Sequence, residues 1–270
     1  MNLSEYSTDT RTKVLVYGPP KSGKTALVGK LAADGFNLFW FDLEGGVKTL
    51  LNNAILPIEY RKNVKVFNVP DHRLYPVAID TIRDVFRGGL KKICHAHGKV
   101  NCPLCTKSGA ATEEVNIMEL GPTDILVIDS LSQLARSAMN RVTLAEISKP
   151  DGDSYKASFT DYARQGALIE QVLSMLQVMN TNIVVISHEL ESESLEGREK
   201  IVPVAGTRNQ SLTSAKYFDS VVYCTVLNKQ HKAYSSSTYS PTIITGSRLP
   251  IDIDTAKEGG VSLLPLFKRR

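Results

Sequence analysis

Residues 13–25 read KVLVYGPPKSGKT, an apolar run that enters a glycine-rich turn and continues into TALVGKLAA, whose apolar residues fall at helical spacing. Strand, tight loop and helix in that order form the context that the pattern G-x-x-x-x-G-K-[ST] requires. The spacing turns consecutive backbone N–H groups and a helix N-terminus toward a chain of phosphates. Gly18, Pro19, Pro20, Lys21, Ser22, Gly23, Lys24, Thr25 and Ala26 are therefore the expected nucleotide-binding residues. Within them Lys24 reaches the β and γ oxygens, and the Thr25 hydroxyl ligates Mg²⁺. A chance glycine-rich turn is the alternative, and it leaves the agreement of strand, loop and helix unexplained.

The rest of the chain keeps the same alternation. NLFWFD (37–42), VKVFNV (64–69), DILVID (124–129) and NIVVIS (182–187) are short apolar runs bounded by turn or charged residues, as buried strands are. Helices are expected over 75–87, from Leu131, and over 159–179, with a short one over 46–53. This order predicts an α/β fold, a mostly parallel central sheet flanked by helices. DSVVYCTVL and PTIITG read as late antiparallel strands, 142–158 as a flexible loop and 189–200 as a mobile one. The expected organisation is an N-terminal tail (1–12) and one domain (13–270) with an irregular insertion over about 90–123. The 42% apolar content supports one substantial core.

Charge decides little, because 32 basic against 28 acidic residues leave only +4. The N-terminal segment has no apolar signal core, and no apolar run approaches the ~20 residues needed to cross a bilayer. A cytoplasmic protein without membrane contact is expected.

Two strand ends carry carboxylates suited to nucleotide chemistry. Asp129 closes DILVID, where it can hold magnesium through a bound water or cap the helix that begins beyond it. Glu44 follows NLFWFD and precedes two glycines, a position for orienting an attacking water. The alternatives are Asp42, which is assigned to structural hydrogen bonding, and a bland turn role for Glu44. His188 ends NIVVIS, where it either senses the γ-phosphate or simply closes a strand.

Three of the four cysteines fall within KICHAHGKVNCPLCTKSG. Cys94, His97, Cys102 and Cys105 give C-x2-H-x4-C-x2-C, two chelating turns that can meet around one structural Zn²⁺. His95 is the alternative imidazole, and a Cys102–Cys105 redox pair the alternative chemistry. Lys91, Lys92, Lys99 and Lys107 make this knuckle basic, able to touch a nucleic acid, a protein or only solvent.

GPPKSGKT, the glutamate of FDLEGG, the Asp-Ser pair of ILVIDSLSQL and the polar residue ending VVISHE together resemble the RecA-like recombinase core. They are similar in particular to small phage ATPases built from that core alone, which act in single-strand annealing and recombination. The resemblance spans about Lys13 to Arg248 and implies a RecA-like P-loop NTPase fold, ATP and Mg²⁺ as ligands, and DNA-stimulated hydrolysis. It implies single-stranded DNA as a partner, and leaves room for a single-strand-binding protein and for further copies of the chain. By the same resemblance Asp129 is the Walker B aspartate, Glu44 the catalytic glutamate, and His188 stands where RecA has a glutamine. The two DNA-facing loops would be 142–158 and 189–210, with Arg198, Lys200 and Arg208 on DNA phosphates. Five glutamates between 189 and 199 make a solvated linker the competing reading of the second loop. Arg248 resembles the basic residue that RecA-like ATPases insert into a neighbour's site, with structural pairing as the alternative. Because about a dozen residues precede the first strand, the N-terminal element by which many recombinases polymerise is not expected, nor is a filament.

Overall fold

A computed structural model describes residues 11–193, 199–237, 239–248, 253 and 261–267. Successive strand side chains point to opposite faces, so an uninterrupted apolar run needs cover on both sides. Strand β1 (Lys13–Gly18) has that cover. Leu15 and Tyr17 pack into one apolar layer, and Val14 and Val16 into the other. The neighbouring strands are β2 (Asn37–Asp42), β3 (Val64–Asn68), β6 (Asp124–Asp129), β7 (Asn182–Glu193) and β9 (Ser220–Leu227). They lie in the order β9-β1-β7-β6-β2-β3, all parallel, with β10 (Gln230–Tyr234) antiparallel on the outer edge of β9.

One face is covered by α2 (Ala78–Phe86), α4 (Leu131–Ile147) and α5 (Phe159–Val178), which bury Ile79, Ile82, Leu134, Ile169, Val172 and Leu173 against the sheet. The other is covered by α1 (Lys24–Gly29), with Leu27 and Val28 packed near Trp40. Local chemistry sets the helix starts. The Ser130 hydroxyl accepts the Gln133 N–H at the head of α4, and Ser158 and Asp161 form a reciprocal capping box on α5. Helix α2 has no cap of its own, and Asp71 Oδ1 instead accepts its first N–H, from Ala78, at 2.9 Å.

Four expectations are corrected. First, β9 runs parallel to β1 rather than antiparallel, because α6 (Arg208–Thr213) and a 3₁₀ turn (Ser214–Tyr217) return the chain to the amino edge of the sheet. The strand expected over PTIITG is reduced to β11 (Gly246–Ser247), which, like β10, pairs antiparallel with β9, at Val221 and Ser220. Second, Glu189–Glu193 and Glu199–Lys200, the described part of 189–200, are strand rather than loop. β7 continues to Glu193 and pairs antiparallel with β8 (Glu199–Pro203), its described residues forming a hairpin. Third, α4 extends to Ile147 with Thr143 and Ile147 buried, so the irregular stretch begins only at Ser148. Fourth, the 90–123 insertion has its own order, a two-stranded sheet of β4 (Lys91–Cys94) and β5 (Thr112–Val115) with α3 (Pro103–Ser108) between them. Among the described residues no helix is long and apolar enough to cross a membrane.

Candidate functional site

The register of the parallel strands brings their carboxyl ends together. Gly18 pairs with His188, and Asp42 with Asp129. The loop leaving Gly18 is tightly seated. Gly18 has φ +149°, and an added Cβ would come within 2.0 Å of the Cys224 carbonyl oxygen of β9. Lys21 (φ 63°) and Gly23 (φ 91°) complete a turn that L side chains adopt reluctantly. Lys24 is buried and donates to the carbonyls of Gly18 (2.9 Å) and Pro19 (2.8 Å). Burial pushes its pKa down, partly opposed by Cys224, Asp129, Glu44 and Glu189. The buried Ser22 Oγ has no protein partner among the described residues. An orphaned hydroxyl beside a lysine and a helix N-terminus fits a polyanion.

The Thr25 hydroxyl donates to Asp129 Oδ2 at 3.2 Å, placing two oxygen donors side by side as a hard divalent cation requires. Asp129 is only 3% exposed, and burial, followed by the charges of Glu44 and Asp42, pushes its pKa up to about 7. A bound cation would relieve that strain directly. Asp42 does the structural work expected of it, accepting the Gly46 N–H at 2.9 Å. Its own pKa is raised by burial, against four backbone hydrogen bonds.

Glu44 behaves differently. Burial pushes its pKa up, but hydrogen bonds from His188 and Ser130, with the charges of His188 and Lys24, outweigh it and hold the carboxyl below its ordinary value. Ser130 Oγ donates to Glu44 Oε1, and His188 Nε2 lies 3.2 Å from Oε2. His188 is itself anchored, its N–H donating to Ser132 Oγ (2.8 Å) and its carbonyl accepting from Val204 (2.9 Å). A carboxylate kept ionised and oriented by two donors, next to a cation site, can align and deprotonate a water.

The remaining predicted residues lie elsewhere. Arg248 donates to the Lys216 carbonyl and lies 3.7 Å from Asp219, which accepts the Lys13 N–H. That is the amino edge of the parallel strands, opposite the phosphate loop of its own chain. Lys200 donates to the Pro241 carbonyl, and Arg208 to Ser192 Oγ at 3.2 Å. Arg198 lies outside the described residues.

The insertion gathers a second site. The ligand atoms of Cys94, His97, Cys102 and Cys105 all lie within 4.8 Å of one another. His97 Nδ1 is 3.9, 3.6 and 3.2 Å from the sulfurs of Cys94, Cys102 and Cys105. Those distances bracket the ~3.6 Å separation of nitrogen and sulfur ligands around tetrahedral zinc. His95 turns away and faces Glu113 at 3.7 Å, so the choice of imidazole falls to His97. Lys92 pairs with Glu114, and Lys99 lies over the Tyr75 ring, which reduces the basic character read from the lysines.

Three features escaped the sequence reading. His231 of β10 sits against the phosphate loop, Nδ1 3.0 Å from the Ser22 carbonyl. A cleft of about 460 Å³ adjoins Glu44, lined by Asn68, Asp71, His72, Arg73, Gln133 and Arg136. A second hollow of about 640 Å³ is lined by Phe159, Tyr162 and Arg208, with Phe159 92% exposed at the head of α5. Only the last had a signal, a phenylalanine at a helix start beyond the apolar stripe.

Compared with known proteins, the chain matches a family described as an AAA domain over residues 10–249. No curated protein matches it. Among solved structures it is similar to an ATPase from the type III secretion system of pathogenic bacteria, at 13% identity and a TM-score of 0.41. That alignment covers 82% of this chain and 53% of the other, so the chain spans about half the length of that ATPase.

Proposed function

The chain belongs to the AAA-domain family, and from that premise we propose that it is an Mg²⁺-dependent ATPase whose nucleotide cycle acts on single-stranded DNA, in annealing or strand exchange. Residues 18–26 hold the phosphates, Lys24 meets the β and γ oxygens, and Thr25 and Asp129 hold the cation. Magnesium, when bound, supplies charge neutralisation for the developing phosphate oxygens. Glu44 orients the attacking water and takes its proton, held in place by Ser130 and His188.

The observation that carries the DNA half is the contact of His188 with Glu44. His188 belongs to β7, which continues as one arm of the antiparallel β7–β8 pair, and Arg208 bonds that arm at Ser192. A change at the nucleotide is thereby felt along one strand at the hairpin. Beside Arg208, the exposed rings of Phe159 and Tyr162 offer faces for unstacked bases. Zinc, held by Cys94, His97, Cys102 and Cys105, keeps the insertion folded.

ATPase assays with and without single-stranded DNA test the reading. Stimulation is expected, and F159A and R208A should each raise the DNA concentration needed for half-maximal stimulation. Hydrolysis indifferent to DNA, with no binding at low salt, refutes the DNA half. The cleft beside Glu44, with Arg73 and Arg136 on its wall, favours one competing reading, a kinase with an acceptor bound there. Phosphoryl transfer to an added acceptor instead of water would decide for it.

A further inference from the structure

The phosphate loop has a neighbour that its motif does not announce. Asn228 and Lys229, at φ 52° and 63°, turn β9 back as β10. Two successive positive-φ residues make the tight hairpin turn whose twist suits paired strands. The turn fixes the register His231↔Val226 and carries the imidazole to the flank of the loop. There Nδ1 lies 3.0 Å from the Ser22 carbonyl oxygen, and a Cβ added to Gly23 would sit 2.8 Å from the same nitrogen. A carbonyl oxygen only accepts, so the facing ring nitrogen is the protonated one. The hairpin also reaches the start of the loop, since the Cys224 carbonyl of β9 closes against Gly18. One antiparallel pair thus braces the loop at both of its glycines.

The Ser22–Gly23 peptide is planar and trans, so its C=O and N–H point in opposite directions. A donor that holds the carbonyl toward β10 holds the Gly23 N–H on the opposite side. We propose that His231 is a positioning residue of the phosphate loop: its Nδ1–H locks the Ser22–Gly23 peptide so that the Gly23 N–H faces the phosphates of a bound nucleotide. The proposal rests on the phosphate-loop reading above and adds a residue from outside the motif.

Asparagine and glutamine separate this role from general packing. The amide nitrogen of asparagine falls near the position of Nδ1, whereas that of glutamine falls near Nε2. Titration calorimetry with Mg-ADP and steady-state ATPase kinetics are measured on H231A, H231Q and H231N. H231A and H231Q should weaken nucleotide binding about three- to tenfold, the worth of one ordinary hydrogen bond. H231N should stay within about twofold of the unsubstituted protein. The loss should appear in KM rather than kcat, because the phosphates meet the loop before and during reaction alike. H231N as weak as H231A, H231A binding normally, or a fall in kcat at constant KM would each overturn the assignment. If H231A does not fold, the asparagine–glutamine pair decides alone. An unsubstituted protein that bound no Mg-ADP would overturn the phosphate-loop reading and this proposal together, whereas normal binding with indifferent variants overturns only the role of His231.

Discussion

Asp129 carries a cost that a substitution can remove. The residue is 3% exposed beside Glu44 and Asp42, and its pKa is pushed up from 3.8 to about 7, by burial first. Between those values the folded chain keeps a proton that the unfolded chain has released, so stability falls as pH rises through the window. The full difference, at 1.36 kcal/mol per pKa unit, is about 4 kcal/mol at pH 7 and above. At pH 5 only about 1.5 kcal/mol of it has developed. Asp129→Asn removes the charge yet keeps an oxygen to accept the Thr25 hydroxyl. In metal-free buffer D129N should therefore be more stable than the unsubstituted protein by about 2 to 4 kcal/mol at pH 8, with the gap less than half as large at pH 5. Urea unfolding in a chelator at the two pH values measures this. The extra stability that Mg²⁺ and nucleotide confer on the unsubstituted protein should be lost in D129N. A D129N protein less stable at pH 8, or a gap that does not change with pH, would refute the reasoning.

Glu44→Gln should retain nucleotide binding while kcat falls about 100-fold or more, the usual worth of a general base, and single-turnover hydrolysis measures it. A drop in kcat under tenfold would remove Glu44 from the proton-transfer role. Purified protein should carry close to one zinc by elemental analysis, and C102S well under half an equivalent. Because Thr81 Oγ1 donates to the Gly98 carbonyl (2.7 Å) and Tyr75 OH to that of His97 (3.2 Å), losing the knuckle loosens the start of α2. C102S should accordingly lower the thermal midpoint by about 5 °C or more. An unchanged midpoint with zinc absent would make the knuckle a passive appendage.

The nucleotide edge was legible because each of its residues follows an apolar run that ends in a polar one. Once β1, β2, β6 and β7 are parallel neighbours, Gly18, Asp42, Asp129 and His188 must share an edge, and Glu44 stands two residues beyond it. The cysteine spacing worked for a similar reason, since each C-x2-H or C-x2-C pair is a local chelate. His231 was invisible because its role depends on β10 lying beside a loop some 200 residues earlier, and nothing in QHKAY encodes that partner.

The hairpin shows a subtler failure. Glu189 to Lys200 lacks an apolar face, and hydrophobic periodicity finds strands only where a face is buried. Here the strand is held by its ladder and by polar anchors. Glu189 pairs with Pro203 and accepts the Tyr223 hydroxyl at 2.9 Å, while Tyr17 OH donates to the carbonyls of Ile201 and Ile244. A strand built that way, by backbone bonds beyond the edge of the core, is stabilised less than the buried part of the same β7. It is also continuous with His188, which touches Glu44. The nucleotide-driven change in the proposed function would need a stiff connection to the nucleotide edge joined to a weakly held outer half, since a packed core would absorb no movement and a free loop would transmit none. Under the proposed function, the same acidic, polar composition that reads as a linker is what would suit the hairpin to respond to the nucleotide.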